Sequence, residues 1–284
     1  MKTIEKNQYH THISSKHKLF SLNLKEVWTY RDLIWLFTKR TFVVSYKQTI
    51  LGPLWLFLTP LISSLIHAFV FGGIAGIDTP GIPTYLFYLT SNAAWTFFAS
   101  CINRNASTFT ANASVFGKVY FPRLTVPISN ILSSIVEFCI QFIMILGFLI
   151  YYVVTKQVFP NWWAWAFIPL VLVHLGLLGL GVGIIVSSMT TKYRDLSVLV
   201  SFGVSLWMYI TPIVYPISET GGIMQTILMI NPVTAPIELL RFILLGQGTV
   251  QLISYIVSVA ITILVLLFGI MIFNKVERTF MDTV

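Results

Sequence analysis

A chain of 284 residues that is 56% hydrophobic and only 10% charged falls well below the roughly 25% charge of a soluble domain, and it holds more apolar surface than one water-facing core can hide. The net charge of +8 comes from Lys and Arg residues that flank apolar runs rather than forming a basic face, which points to a membrane surface and away from nucleic acid. Cys101 and Cys139 sit in or beside apolar runs, with neither metal-ligand spacing nor a disulfide framework.

Residues 1–23 are polar, contain Lys2, Lys6, Lys16 and Lys18, and lack the apolar core of a cleavable signal; they read as a flexible cytoplasmic tail. Residues 24–47 follow, with apolar Leu24, Val27, Trp28, Leu33, Ile34, Leu36 and Phe37 at helical spacing and Arg31, Lys39, Arg40 and Lys47 interleaved. This pattern predicts an amphipathic helix lying in the cytoplasmic interface, anchored by Trp28 and Trp35. The remainder, 48–284, reads as one transmembrane domain.

Six apolar runs predict spans near 51–74, 84–102, 126–154, 166–189, 197–215 and 252–273, each close to the 20 or so residues a bilayer core requires. The first holds Pro53 and Pro60. Trp162, Trp163 and Trp165 form an interfacial aromatic belt before the fourth. Between the fifth and sixth, Ile223–Ile230 and Ile237–Leu245 are apolar but too short to cross, and Asn231-Pro232 separates them; they predict two short re-entrant helices entering from outside. With this layout 16 of the 18 Lys and Arg residues fall on one side, leaving only Lys156 and Arg241 on the other. The positive-inside rule therefore places both termini in the cytoplasm. The fold class is an all-α membrane protein of six transmembrane helices.

Chemistry is sparse. Phe116-Gly117-Lys118-Val119 has the Gly-Lys pair of a phosphate-binding loop but neither the upstream glycine nor the following Ser or Thr, so the chain itself is not expected to hydrolyse ATP. No carboxylate pair or His-rich loop suggests a membrane enzyme. The only carboxylates and histidines in the predicted spans are Glu137, His67 and His174, few for a proton-coupled transporter. Glu137 lies among Ser133, Ser134 and Gln141 and is expected to be hydrogen-bonded in a structural role. Both histidines are expected to be packed and satisfied. Glu238 and Arg241 stand i, i+3 on the second short helix and are expected to pair and hold its shape.

Aromatic residues make up 15% of the chain. Trp55, Phe57, Tyr85, Tyr88, Trp95, Trp207, Tyr209 and Tyr215 are candidates to line a path, because sugar rings present C–H faces that stack on aromatic rings. Arg31, Lys39, Arg40 and Lys47 are placed to meet an anionic lipid head group.

Several motifs carry a resemblance. The interface helix ends in Arg40 to Lys47; Leu51-Gly52-Pro53-Leu54-Trp55 opens the first span; Phe116-Gly117-Lys118-Val119-Tyr120-Phe121-Pro122-Arg123 follows the second; Tyr193-Arg194-Asp195-Leu196 forms a turn; and Thr211-Pro212-Ile213-Val214-Tyr215-Pro216 precedes Asn231-Pro232. In order and spacing, over about residues 24 to 280, the chain resembles the permease subunit of ABC-2 type exporters of polysaccharides (O-antigen, capsule and teichoic acid). The resemblance implies a homodimer in the bacterial inner membrane, with two copies of a separate cytoplasmic ATPase that bind the ATP and Mg. It implies a lipid-linked polysaccharide, most of all O-antigen, moving through a tunnel between protomers. It places ATPase coupling at Ser114, Phe116, Lys118, Tyr120 and Arg123, with Arg194 and Asp195 nearby. Substrate uptake falls to Arg31, Lys39, Arg40 and Lys47, and an exit cap to the helix bearing Glu238 and Arg241. An ABC-2 permease for a drug or small lipid shares the same outline.

Overall fold

A computed structural model describes residues 24–283 apart from 48, 80 and 194. The expected tail at 1–23, and Arg194, lie outside the described residues. Among the described residues every regular element is a helix. In chain order these are α1 (Leu24–Thr29), α2 (Arg31–Tyr46), α3 (Trp55–His67), α4 (Thr84–Ala106), α5 (Thr108–Phe116), α6 (Thr125–Val154), α7 (Ile168–Thr190), α8 (Leu196–Tyr209), α9 (Gly222–Ile230), α10 (Thr234–Leu245) and α11 (Leu252–Thr283).

Among the described residues, four continuous stretches are long and apolar enough to cross a membrane: Gly52–Ile74, Thr125–Val154, Trp162–Thr190 and Leu252–Glu277. The bent pair α9–α10, whose axes meet at 91°, makes a fifth only if taken as one broken span. Two of the six expected spans differ from this group for physical reasons. Helix α4 is long enough at 23 residues, but Thr90, Ser91, Asn92, Asn103 and Arg104 lower its apolarity. It tolerates them because it lies at the centre of the fold, with Thr90 and Ser91 fully buried among α3, α6, α7, α8 and α10. Helix α8 ends at Tyr209 after 14 residues, about 21 Å of rise, where a crossing of about 30 Å was expected to reach residue 215. Residues 210–215 instead form turns.

Helix α7 is the spine of the bundle. A Cβ at Gly183 would stand 2.5 Å from Asn105 Cβ and 3.2 Å from the Ile102 carbonyl oxygen of α4. On the other side, a Cβ at Gly181 would stand 3.0 Å from Leu266 N of α11, and one at Gly269 would stand 2.8 Å from the Gly181 carbonyl oxygen. Small residues at these crossings let backbones approach where lipid supplies no hydrophobic drive for association.

The main apolar core gathers α4, α6, α7, α8 and α10 around Leu89, Phe98, Ile145, Leu175 and Ile237. A second cluster at one end joins Phe109 and Phe116 of α5, Phe121, Val126 of α6, Ile184 of α7 and Phe273 of α11. The expected interface helix is two helices, broken at Tyr30. Helix α2 is fastened to α6: the Thr38 hydroxyl donates to the Ile34 oxygen at 2.8 Å and lies 3.3 Å from the Ser129 oxygen.

Candidate functional site

The end of the molecule that carries the second apolar cluster also presents an exposed turn. Ser114, Lys118 and Tyr120 face outward there, with Tyr120 77% exposed and Val119 beside it. Phe116 does not: it is buried against Phe109 and Phe121. Arg123 also points inward. Its Nη1 donates to the Glu277 oxygen of α11, its Nε lies 3.8 Å from Glu277 Oε1, and its guanidinium sits 5.7 Å from the Phe116 ring centroid. Phe116 and Arg123 thus set the shape of the turn, and Ser114, Lys118 and Tyr120 are its outer surface.

Burial lowers the Arg123 pKa, and the Glu277 carboxylate acts in the opposite sense. The Tyr120 hydroxyl donates to Glu26 Oε1 of α1 at 3.3 Å, and desolvation, then that carboxylate, raise its pKa. The turn is therefore braced by the first helix on one side and the last on the other.

The end of α7 lies alongside. Thr190 Oγ1 donates to the Ala106 oxygen at 2.9 Å, and the Phe109 N–H donates to Ser187 Oγ at 3.3 Å. This fixes the end of α7, beyond which Tyr193 and Asp195 are exposed and Lys192 Nζ lies 5.2 Å from the Tyr193 ring centroid.

Arg31, Lys39, Arg40 and Lys47 are all exposed. On α2, Arg31, Lys39 and Arg40 share the outward faces with Trp35 and Leu36, while Ile34 and Thr38 face α6; Lys47 follows the end of the helix. A cationic surface bordered by exposed tryptophan suits an anionic head group at a membrane boundary.

The eight aromatic candidates separate. Tyr88 and Trp95 are core residues: the Tyr88 hydroxyl donates to the Val214 oxygen at 2.9 Å, and Trp95 packs against Phe98 and Trp207 with centroids 5.4 and 6.4 Å away. Half-buried Trp207 donates to Asn231 Oδ1 at 3.3 Å, and Tyr85 meets Phe148 edge-on. Trp55 and Tyr209 are exposed; Phe57 and Tyr215 are partly so. Tyr215 donates to the Tyr209 oxygen at 3.0 Å.

Glu238 and Arg241 pair as expected from their spacing, but deep inside rather than at a rim, with exposures of 3% and 1%. Arg241 Nη1 donates to Glu238 Oε1, Nη2 to the Pro212 oxygen, and Nε to Ser91 Oγ at 2.8 Å, and the guanidinium lies 4.0 Å from the Phe87 ring centroid. Glu238 Oε2 accepts the Thr249 N–H at 2.8 Å. One pair thereby joins α10 to α4, to the 211–216 turn and to the approach to α11. It also floors an open cleft of about 350 Å³ between Thr79 and Ile82 on one side and residues 216–218 and 247–249 on the other.

Asn231 is a second junction. Its Nδ2 donates to the Ile210 oxygen at 3.1 Å and to Thr211 Oγ1 at 2.9 Å, and its Oδ1 accepts the Val233 N–H at 3.1 Å. It thus closes the α9–α10 bend and ties it to the end of α8. Replacing Asn231 by alanine strands several buried groups, so thermal unfolding of the detergent-solubilised protein is expected to show a loss of about 1–3 kcal/mol. An unchanged midpoint would remove Asn231 from this role.

Sequence reasoning missed two features. Arg104 reads as the start of a loop but lies within α4, where its Nη2 donates to Glu137 Oε1 of α6. The hydrogen-bonded role expected of Glu137 thus has a charged partner that no local spacing announced. The extent of helix α5, Thr108–Phe116, was also unforeseen, since the resemblance implied a helix for partner contact at 114–123. His174 Nε2 lies 3.0 Å from Thr262 Oγ1 and 3.1 Å from Ser258 Oγ, and His67 packs against Phe71 and Tyr88; the Nδ1 of each is buried and unpartnered among the described residues, so neither ring is fully satisfied, contrary to expectation. Among the described residues, no three His, Cys, Asp or Glu side chains are grouped to hold a metal.

The family model described as ABC-2 type transporter matches residues 32–245. Two proteins of Klebsiella pneumoniae named O-antigen export system permease protein RfbA are each 31% identical over 255 residues, spanning 88% of this chain and 94% of theirs. A Myxococcus xanthus protein of the same name is 25% identical over 216 residues, 75% of this chain and 80% of its own.

Proposed function

Because this chain belongs to the ABC-2 type transporter family, a multi-pass membrane family, we propose that it is the membrane subunit of an ATP-driven exporter of a lipid-linked polysaccharide, of the O-antigen kind, in the bacterial inner membrane. The observation that carries the coupling part is the braced turn: Lys118, Val119 and Tyr120 stand outward on a backbone held by Phe116 and Arg123 and secured to both α1 and α11. A rigid, exposed, cationic and aromatic projection is a suitable anchor for a partner protein. The similarity to proteins named for O-antigen export over most of both chains supports the substrate class.

In this reading the turn and Asp195 face the cytoplasm. The two copies of the ATPase seated there hold ATP and Mg, and hydrolysis shifts the populations of two permease states. The chain crosses six times, with α4 and α8 as the two crossings that rely most on their neighbours, and both termini are cytoplasmic. Helices α9 and α10 enter from the far side and cap the exit. Two protomers assemble around the path, with Arg31, Lys39, Arg40 and Lys47 receiving the lipid head group.

The test is co-purification of the permease with its ATPase, with surface polysaccharide as readout. Lys118→Ala/Tyr120→Ala is expected to weaken ATPase association and cut surface glycan by at least about tenfold at unchanged permease abundance. Normal association and export in this variant would sink the coupling assignment. If no ATPase associates with the unaltered chain, the subunit reading falls. If an ATPase binds but teichoic acid, capsule or a small lipid is the cargo, the exporter stands and the O-antigen assignment falls.

A further inference from the structure

The cleft above the Glu238–Arg241 pair lies at the end of the fold opposite the braced turn. Helix α4 spans the distance between them: it begins at Thr84, just past the cleft residue Ile82, and rises about 34 Å over its 23 residues. Its other end, Ala106, accepts from Thr190 beside the turn. The cleft is open and holds about 350 Å³, within the roughly 300–1,000 Å³ of small-molecule sites.

Its walls are fixed without a ligand. Thr79 Oγ1 donates to the Ile82 oxygen at 3.0 Å and shapes the first. Gln247 Nε2 donates to the Gly81 oxygen at 3.3 Å and ties that wall to the second. The Thr249 N–H donates to Glu238 Oε2 and fastens the second wall to α10. Arg241 holds the Pro212 oxygen, on the segment that leads to the third wall, Pro216 to Ser218.

The lining selects a kind of ligand. Among the described residues its charged side chains are Glu238 and Arg241, which neutralise each other and are only 3% and 1% exposed. A phosphate or carboxylate thus meets no free cation there, and an amine meets no free carboxylate. Ile82 and Pro216 offer apolar surface, while Ser218, Gln247 and Thr249 offer hydroxyl and amide groups around it. An alkyl chain would bury those polar groups without partners. A neutral sugar ring suits both parts, with C–H faces against the aliphatic side chains and hydroxyls toward the polar ones.

We propose that this cleft is a binding site for a neutral saccharide unit. The ligand assignment rests on the polysaccharide-exporter reading above, in which this end faces outward and meets sugar that has already crossed. The buried ion pair shapes the floor, and Ser218, Gln247 and Thr249 make the contacts.

The test uses the permease–ATPase complex in lipid nanodiscs. It is titrated with lipid-free saccharide released by mild acid from the surface glycan of the same cells, and binding is followed by saturation-transfer NMR. Saturable binding is expected. Ser218→Trp, which fills the cleft from an exposed position, is expected to weaken it at least about tenfold. Gln247→Ala adds no bulk, also at an exposed position, and is expected to weaken it about threefold to tenfold through one lost hydrogen bond. Absence of saturable binding would overturn the site, and binding indifferent to both variants would overturn its location. Glycerol phosphate oligomers that bind as tightly, and are displaced by Ser218→Trp, would overturn the neutral ligand.

Deleting the permease gene separates this proposal from the reading beneath it. Surface glycan that persists after deletion removes the exporter reading, while saccharide binding sensitive to Ser218→Trp still retains the site. Glycan lost on deletion, with no saccharide bound by the purified complex, retains the exporter and overturns the site.

Discussion

Replacing Arg241 by alanine is expected to destabilise the solubilised protein by about 3–5 kcal/mol, because it removes one half of a buried ion pair and leaves the other half charged in the interior. The cost is not Coulombic alone. Arg241 supplies donors to Glu238, Ser91 and the Pro212 oxygen and lies against the Phe87 ring, so its loss strands an acceptor on each of three segments. Glu238→Gln retains an acceptor for the Thr249 N–H and is expected to cost less. Changing both Glu238 and Arg241 to methionine removes the unpaired charge and is expected to recover part of the loss. Thermal unfolding of the three variants in detergent, with their membrane abundance, checks the order. An Arg241→Ala protein that unfolds within about 1 kcal/mol of the parent would show that the pair does not join α10 to α4.

The second large effect is expected at the helix crossings. Gly183→Val places a branched side chain where a single Cβ already comes within 2.5 Å of Asn105 Cβ and 3.2 Å of a backbone oxygen. A flexible side chain can turn aside, but the α4 backbone cannot, so α4 and α7 must separate. Overpacking typically costs about 1–3 kcal/mol, and rigid backbone contacts lie at the upper end. Separation also loosens Asn105, which accepts from Asn130 Nδ2 at 3.1 Å, and through Asn130 the neighbourhood of Arg104. Gly183→Ala is expected to be milder, and Gly203→Ala, where nothing lies within 4 Å, nearly neutral. Folded yield after detergent extraction should rank Gly203→Ala above Gly183→Ala above Gly183→Val. Equal yields would mean that the close approach is dispensable.

These two expectations show how unevenly the site could be read in advance. The i, i+3 spacing of Glu238 and Arg241 announced a pair, since helical geometry brings such residues together on any helix. It could not announce depth: their burial depends on Ser91, Pro212 and Thr249, which are distant in sequence. Arg104 and Glu137 lie 33 positions apart, and no periodicity connects them. Lys118 and Tyr120 of the exposed turn were singled out by the resemblance, as partner contacts, and not by any local pattern that announced their exposure. That Phe116 and Arg123 support this turn from within follows only from Phe109, Phe121 and Glu277 meeting there. Likewise, aromatic residues on α4 look alike in a linear sequence, and only the neighbours of Tyr88 and Trp95 remove them from any path.

Composition and run length were sufficient for the class of molecule, the helical character of the apolar runs and the break at Asn231-Pro232. Each of these depends on a residue's own transfer energy or on neighbours within one or two turns. Three-dimensional packing decided which helix lies at the centre, how polar that helix is allowed to be, where α8 stops, and which charges are paired. Those outcomes depend on contacts between segments far apart in the chain, where protein rather than lipid surrounds a polar group and so sets the cost of keeping it there.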